Sequence, residues 1–117
     1  MNRAQEWEKE LTRRFPSIDC DGLPATAEFI AILEEMNGFD KGANLYYNTL
    51  THNITIITEN CRIIPIYMGN RITGFRCIFT PSSHLYPDTI KIQPDSYEIR
   101  KLLSTYWSEL FPKESML

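Results

Sequence analysis

The sequence predicts an α+β fold with two N-terminal helices, an antiparallel meander sheet of four or five strands, and a C-terminal helix packed on the sheet. Apolar residues recur at helical spacing near both ends of the chain. The middle consists of short runs rich in Ile, Thr, Tyr and Phe, which favour strands, and tight-turn signals separate these runs. A length of 117 residues is typical of one domain, so we expect residues 1–117 to form a single α+β domain.

Two helices are predicted before the first strand. The first covers residues 3–14 and ends before Pro16, with an apolar stripe made of Ala4, Trp7, Leu11 and Phe15. In the second helix, Pro24 suits the first turn and Asn37-Gly38 suits the end. Its predicted buried side consists of Phe29, Ile30, Leu33 and Met36.

The strands are predicted at residues 44–50 and 53–59, in the two halves of segment 64–79, and at residues 88–93. His52-Asn53 and Glu59-Asn60 suit tight connections, and Gly69-Asn70 is the strongest hairpin signal in the chain. Because each turn joins neighbouring runs, the pattern indicates a meander.

The hairpin at Gly69-Asn70 also predicts a register for its two strands. A two-residue loop places Met68 opposite Arg71, and the predicted pairs continue with Ile66 opposite Thr73, Ile64 opposite Phe75 and Gly74 opposite Pro65. One predicted face then carries Ile64, Ile66, Met68, Phe75, Cys77 and Phe79, and the other carries Ile63, Tyr67, Ile72 and Ile78. Arg62 and Arg71 share a face in this register while Arg76 points away, so we expect no basic stripe and no nucleic-acid binding by the sheet.

The C-terminal helix has the clearest signals of the three. Asp95 is a good N-cap, Glu98 completes a capping box, and Pro112 marks the end. A wide apolar face is formed by Ile99, Leu102, Leu103, Tyr106, Trp107, Leu110 and Phe111.

Charge is distributed unevenly along a chain whose net charge is −3. Residues 19–40 contain six acids and no Lys or Arg. Within the second helix Glu34 and Glu35 cannot both turn inward, because burying an unpaired carboxylate is costly. We therefore expect Glu34 and Glu35, with Asp40, to form an acidic partner-binding surface, and expect His84 and Tyr86 in the loop before the last strand to contribute contacts.

The residues that carry chemistry are scattered. The cysteines (Cys20, Cys61 and Cys77) and the histidines (His52 and His84) show no metal-ligand spacing, and no phosphate-binding loop is present. Ser82, Ser83, His84 and Asp88 are close in sequence, but neighbours in sequence rarely make a catalytic triad. We expect no catalysis, no metal and no cofactor.

The composition of the chain also predicts where in the cell the protein is found. No run approaches the ~18 apolar residues of a membrane-spanning helix. The N-terminal residues are charged and lack the apolar core of a secretory signal. An odd number of cysteines fits reduced thiols in the cytoplasm.

Three functional classes fit these observations. The first is a small acidic cytosolic inhibitor, such as a bacterial immunity protein, which neutralises a basic protein such as a nuclease toxin. The second is a secretion-type chaperone or adaptor, which would form homodimers through an exposed apolar surface. The third is a small enzyme whose site lies near His84.

Overall fold

A computed structural model describes residues 2–69, 71–79 and 89–112 and confirms the predicted fold class. Its helices are α1 (Arg3–Arg14), α2 (Leu23–Glu35), α3 (Ser96–Thr105) and α4 (Trp107–Leu110), with a short 3-10 helix at Phe39–Lys41. Its strands are β1 (Asn44–Asn48), β2 (Asn53–Ile57), β3 (Cys61–Met68), β4 (Arg71–Phe79) and β5 (Thr89–Ile92). Strand order β1-β2-β3-β4-β5, with every pair antiparallel, is the predicted meander.

Local hydrogen bonds define the ends of the two N-terminal helices. Asn2 accepts from the backbone N–H of Gln5, whose side chain accepts from the Asn2 backbone in return, so α1 begins with a capping box. At the end of α2, Gly38 N–H donates to the Leu33 carbonyl and Asn37 N–H to the Glu34 carbonyl. Asn37 has φ 65°, so these bonds form a Schellman motif with asparagine in the left-handed position.

The connections between the first strands follow the turn signals in part. Asn48 pairs with Asn53, so residues 49–52 form the β1–β2 connection and the predicted turn at His52-Asn53 is displaced. His52 closes that loop with φ 57°. Between β2 and β3 the Thr58 N–H donates to the Cys61 carbonyl at 2.9 Å, which confirms the tight turn at residues 59 and 60.

The predicted register of β3 and β4 holds only next to the hairpin loop. Met68 pairs with Arg71 and Tyr67 with Ile72, but the next pair is Ile66 with Gly74, so Thr73 is an extra residue in a β-bulge. Beyond the bulge every pair is shifted by one residue. Because side chains alternate between the faces of a strand, this shift moves Phe75, Cys77 and Phe79 to the face of Cys61, Ile63 and Pro65.

The predicted faces of this hairpin are therefore wrong. Ile63 shares the inner, helix-covered face with Phe75, Cys77 and Phe79, whereas Ile64, Ile66 and Ile78 lie on the opposite face. Gly74 lies opposite Ile66 and not opposite Pro65. The β2–β3 ladder ends at Ile56 paired with Ile63, before it reaches Pro65, which has no N–H to donate.

The helices and the inner face of the sheet share one core. Rings of Phe29 on α2 and Phe75 on β4 meet edge to face, with centroids 4.8 Å apart. The predicted apolar side of the C-terminal segment is also buried here, through Ile99, Leu102, Leu103, Leu110 and Phe111. That segment is not one continuous helix, since it breaks at Tyr106 into α3 and α4.

Candidate functional site

The acids of α2 are paired with bases from distant parts of the chain. Both Glu34 carboxylate oxygens accept from the guanidinium of Arg3 on α1, one of them at 2.7 Å from Nη2. Glu35 accepts from Arg100 on α3. A sequence without bases between residues 19 and 40 therefore does not give an uncompensated acidic helix, because folding brings in bases from residues 3 and 100.

These ion pairs hold both carboxyl groups in the ionised form. The Arg3 hydrogen bonds lower the pKa of Glu34, and the Arg100 hydrogen bond lowers the pKa of Glu35. The Trp7 indole is close enough to lower the pKa of Glu34 further, but its buried N–H makes no hydrogen bond of normal geometry. Together with Glu28, these charged groups line a cleft of about 410 Å³ where α1, α2 and α3 meet.

The other predicted partner-binding residues are not brought into this cluster. Asp40 is exposed on the 3-10 helix after α2, and it has no ion-pair partner in residues 2–69, 71–79 and 89–112. His84 and Tyr86 lie outside the described residues, as do Ser82, Ser83 and Asp88.

Of the residues singled out for possible chemistry, His52 lies in a loop, and Cys61 and Cys77 lie in the core. No group of three or more His, Cys, Asp or Glu side chains is placed to hold a metal ion in the described part of the chain. The imidazole Nδ1 of His52 lies 3.1 Å from the Tyr47 hydroxyl, and the His52 carbonyl accepts from Asp19, which is the role of a loop anchor. Cys61 and Cys77 are free buried thiols, and the neighbouring Cys61 thiol, together with burial, raises the pKa of Cys77.

The second face of the sheet is the other candidate surface. It carries the half-buried side chains of Ile57, Ile64, Ile66 and Ile78, none of which belongs to the core cluster or packs against it. Near them, Tyr46 is 58% exposed and Met68 is 75% exposed. We call this surface the open face, and define it by Tyr46, Ile57, Arg62, Ile64, Ile66, Met68, Arg71, Arg76, Ile78, Thr89 and Lys91.

The bulge in β4 also decides where the bases lie. Arg62 pairs with Ile78, Ile64 with Arg76, and Arg76 with Lys91, and directly paired residues share a face of the sheet. Arg76 therefore joins Arg62 and Arg71 on the open face, with Lys91 beside it, and the expectation of no basic stripe is corrected. The signal in the sequence was Gly74, because an isolated glycine inside a strand often marks a bulge.

Comparison with protein-family models, with characterised proteins and with solved structures gives no match to this chain. None of the described helices is long and apolar enough to cross a bilayer.

Proposed function

We propose that this protein is a small, non-catalytic binding protein of the inhibitor or adaptor type, acting in the cytoplasm, which engages a protein partner through the open face. The observation that carries the proposal is the group of apolar side chains outside the core. Ile57, Ile64, Ile66 and Ile78 are neighbours on one face of the sheet and contribute nothing to the core. A contiguous apolar patch rimmed by polar residues is typical of a protein-binding surface.

The residues around the patch fit the same role. Arg62, Arg71 and Arg76 border the isoleucines, and Tyr46 stands at the edge formed by β1. Arginine and tyrosine are enriched at protein interfaces, since both combine a large contact area with polar groups. The strands of the sheet hold the backbone of these residues in place, so binding costs little further conformational entropy.

The test compares two double variants that remove apolar side chains from different parts of the surface, half-buried ones on the open face and exposed ones elsewhere. Ile64→Ser/Ile78→Ser alters the open face, and Leu50→Ser/Tyr97→Ser alters residues that are 90% and 71% exposed on the β1–β2 loop and on α3. Each is expressed in the source cells and purified with its crosslinked partner. We expect the first variant to lose a stoichiometric partner that the wild type and the second variant retain.

Three outcomes would overturn the proposal. The partner could be retained by both variants, or lost by both, and either result removes the open face from consideration. A hydrolytic activity that disappears in His84→Ala, with the fold intact by circular dichroism, would replace the non-catalytic assignment with an enzyme.

A second candidate is an immunity protein that binds a basic partner such as a nuclease toxin through its acids. The net charge of −3 favours it, as do the exposed carboxyl groups of Asp21 and Asp40. Since Glu34 and Glu35 are in ion pairs, their reversal would also disturb packing of the helices. Asp21→Lys/Asp40→Lys changes the surface charge without breaking an ion pair between helices. Slower association of this variant with a cationic partner, at an unchanged free energy of unfolding, would support this candidate.

A further inference from the structure

The open face holds bases that make no ion pair with a described acid, although Glu98 of α3 lines a cleft with Lys91 and Ile66 at the edge of this face. Arg62, Arg71, Arg76 and Lys91 are all exposed, and none makes an ion pair with any residue that the structure describes. The described positions of this face contain no Asp or Glu. This is a local cationic surface on a protein whose net charge is −3.

Arg76 and Lys91 are placed in an unfavourable arrangement. They are directly opposite each other on β4 and β5, where paired side chains have Cβ atoms about 5 Å apart. Like charges at that position destabilise a sheet. A carboxylate between the two would convert this repulsion into two charge-assisted hydrogen bonds, and the planar guanidinium of Arg76 can bind it with two N–H groups.

Apolar side chains alternate with these bases across the strands. Ile64 is the cross-strand neighbour of Arg76 on one side, and Ile78 lies between Arg62 and Thr89 in the next row. Successive side chains on one face of a strand, at positions i and i+2, are about 7 Å apart. The complementary surface must therefore present carboxylates and apolar groups within a few ångströms of one another, as a protein segment does when it alternates Glu or Asp with aliphatic residues.

Two other occupants fit less well. Nucleic acid is bound on sheets by stacking bases on aromatic rings, but the described positions of the open face have only Tyr46, at the β1 edge. A second copy docked face to face would bring two cationic surfaces together, and like charges juxtaposed across an interface cost free energy.

We propose that the open face recognises an acidic, partly aliphatic segment of its partner protein, with Arg76 and Lys91 as the carboxylate-binding pair. This inference rests on the proposed function, because it names the chemistry of the partner at the same surface. The isoleucines supply the contact area, and the bases select the acidic partner.

The test uses three labelled probes and matched charge variants of the full chain. The probes are a short peptide alternating glutamate with leucine, the same peptide with lysine in place of glutamate, and a short oligodeoxythymidine. Arg76→Gln/Lys91→Gln removes two charges from the open face, and Lys9→Gln/Arg13→Gln removes two exposed charges from α1. Fluorescence anisotropy gives each dissociation constant.

We expect the glutamate peptide to bind the wild type and to bind Arg76→Gln/Lys91→Gln about tenfold more weakly, because two charge-assisted contacts are lost. Lys9→Gln/Arg13→Gln should change the constant by no more than about twofold, since both residues lie on α1, away from the open face, and surface charges at a distance are screened. No binding of the glutamate peptide, equal loss in both variants, or equal binding of the lysine peptide would overturn the inference. Tighter binding of the oligonucleotide, or a wild-type dimer that dissociates in Arg76→Gln/Lys91→Gln, would assign the face to nucleic acid or to a second copy and would also overturn it.

The native partner separates this inference from the function on which it rests. If Ile64→Ser/Ile78→Ser loses the native partner while Arg76→Gln/Lys91→Gln retains it fully, the proposed function is supported and the inference of an acidic partner is wrong. If both variants retain the partner, the proposed function and the inference are both wrong.

Discussion

At the scale of single residues, the bond between Arg3 and Glu34 does more than neutralise a charge. It joins α1 to α2 across 31 sequence positions, with side chains that are 54% and 33% exposed. The Arg3 guanidinium also lies 5.4 Å from the centroid of the Trp7 ring, and Arg14 lies 5.7 Å from the same ring. Trp7 stacks in turn on Phe39, at 5.7 Å, so this contact region connects α1 to the segment that follows α2.

Glu34→Gln should destabilise the protein at neutral pH by about 0.5–1 kcal/mol, the upper part of the range for partly exposed ion pairs. The pKa of Glu34 lies below its ordinary value of 4.5 in the folded protein, so the ionised form favours folding above that pH. This contribution is lost as pH falls through the folded pKa. Urea denaturation of both proteins between pH 7 and pH 3 should therefore show a gap that closes in acid.

Glu59→Gln is the matched control, because Glu59 is exposed in the β2–β3 turn and makes no ion pair with a described residue. It should leave the free energy of unfolding unchanged across that pH range. A gap between wild type and Glu34→Gln that stays constant to pH 3 would show that the substitution acts through packing and not through charge.

At the scale of elements, Gly74 lies beside the bulge of β4 and against the short strand β5. A Cβ atom placed on Gly74 would lie 2.4 Å from the carbonyl oxygen of Ile92, a backbone atom that cannot turn aside. The absence of a side chain is what lets β4 and β5 approach at this point. Thr73, the extra residue of the bulge, donates from its hydroxyl to the Ile66 carbonyl at 3.4 Å.

Gly74→Ala should destabilise the protein by about 1–3 kcal/mol, the usual cost of forcing an extra carbon into a packed site. The β4–β5 ladder should yield first, so amide hydrogens of β5 should exchange faster than those of β2 and β3. Thr73→Ala, one residue away and exposed, should have a smaller effect and leave β5 protected. Unchanged exchange in β5 of Gly74→Ala would contradict the close approach of these strands.

At the scale of the whole molecule, one core joins all the layers. Leu103 on α3 is fully buried in the same cluster as Leu11 on α1, Phe29 on α2 and Ile63 on β3. A shared core of this kind predicts a single cooperative unfolding transition for helices and sheet together.

Leu103→Ala should lower the free energy of unfolding by about 2–5 kcal/mol, because it leaves a cavity in that core. Tryptophan fluorescence reports on the helices, and thiol exposure at Cys61 and Cys77 reports on the sheet. Both signals should shift to lower urea by the same amount, while exposed Ser104→Ala should shift neither. Separate shifts for the two signals would contradict a shared core.

Element positions and most of the core were predictable because they depend on local pattern. The apolar period of α1 and α3 identified Trp7, Leu11, Ile99, Leu102 and Leu103 as buried, and the structure confirms them. The break at Tyr106 escaped prediction, since the apolar residues on either side continue the same helical face.

The candidate site was harder to predict than the fold. The local sequence predicts unpaired carboxylates at Glu34 and Glu35, because their partners, Arg3 and Arg100, are 31 and 65 positions away. The role of His84 and Tyr86 stays a prediction, because both lie outside the described residues. The open face was missed because the register was extended from the hairpin loop without a bulge.

Where helices and strands form, and which residues are apolar enough to make a core, can be read from the amino-acid sequence, because both follow from spacing along a few turns or one strand. Which acids are neutralised and which bases stay on a surface depends on the folded structure. Ion pairs join residues far apart in the chain, and one extra residue at Thr73 reverses the faces of a strand without changing its composition. Gly74, next to the extra residue, lets β5 approach β4 at the Ile92 carbonyl, and in that ladder Arg76 pairs with Lys91 on the open face.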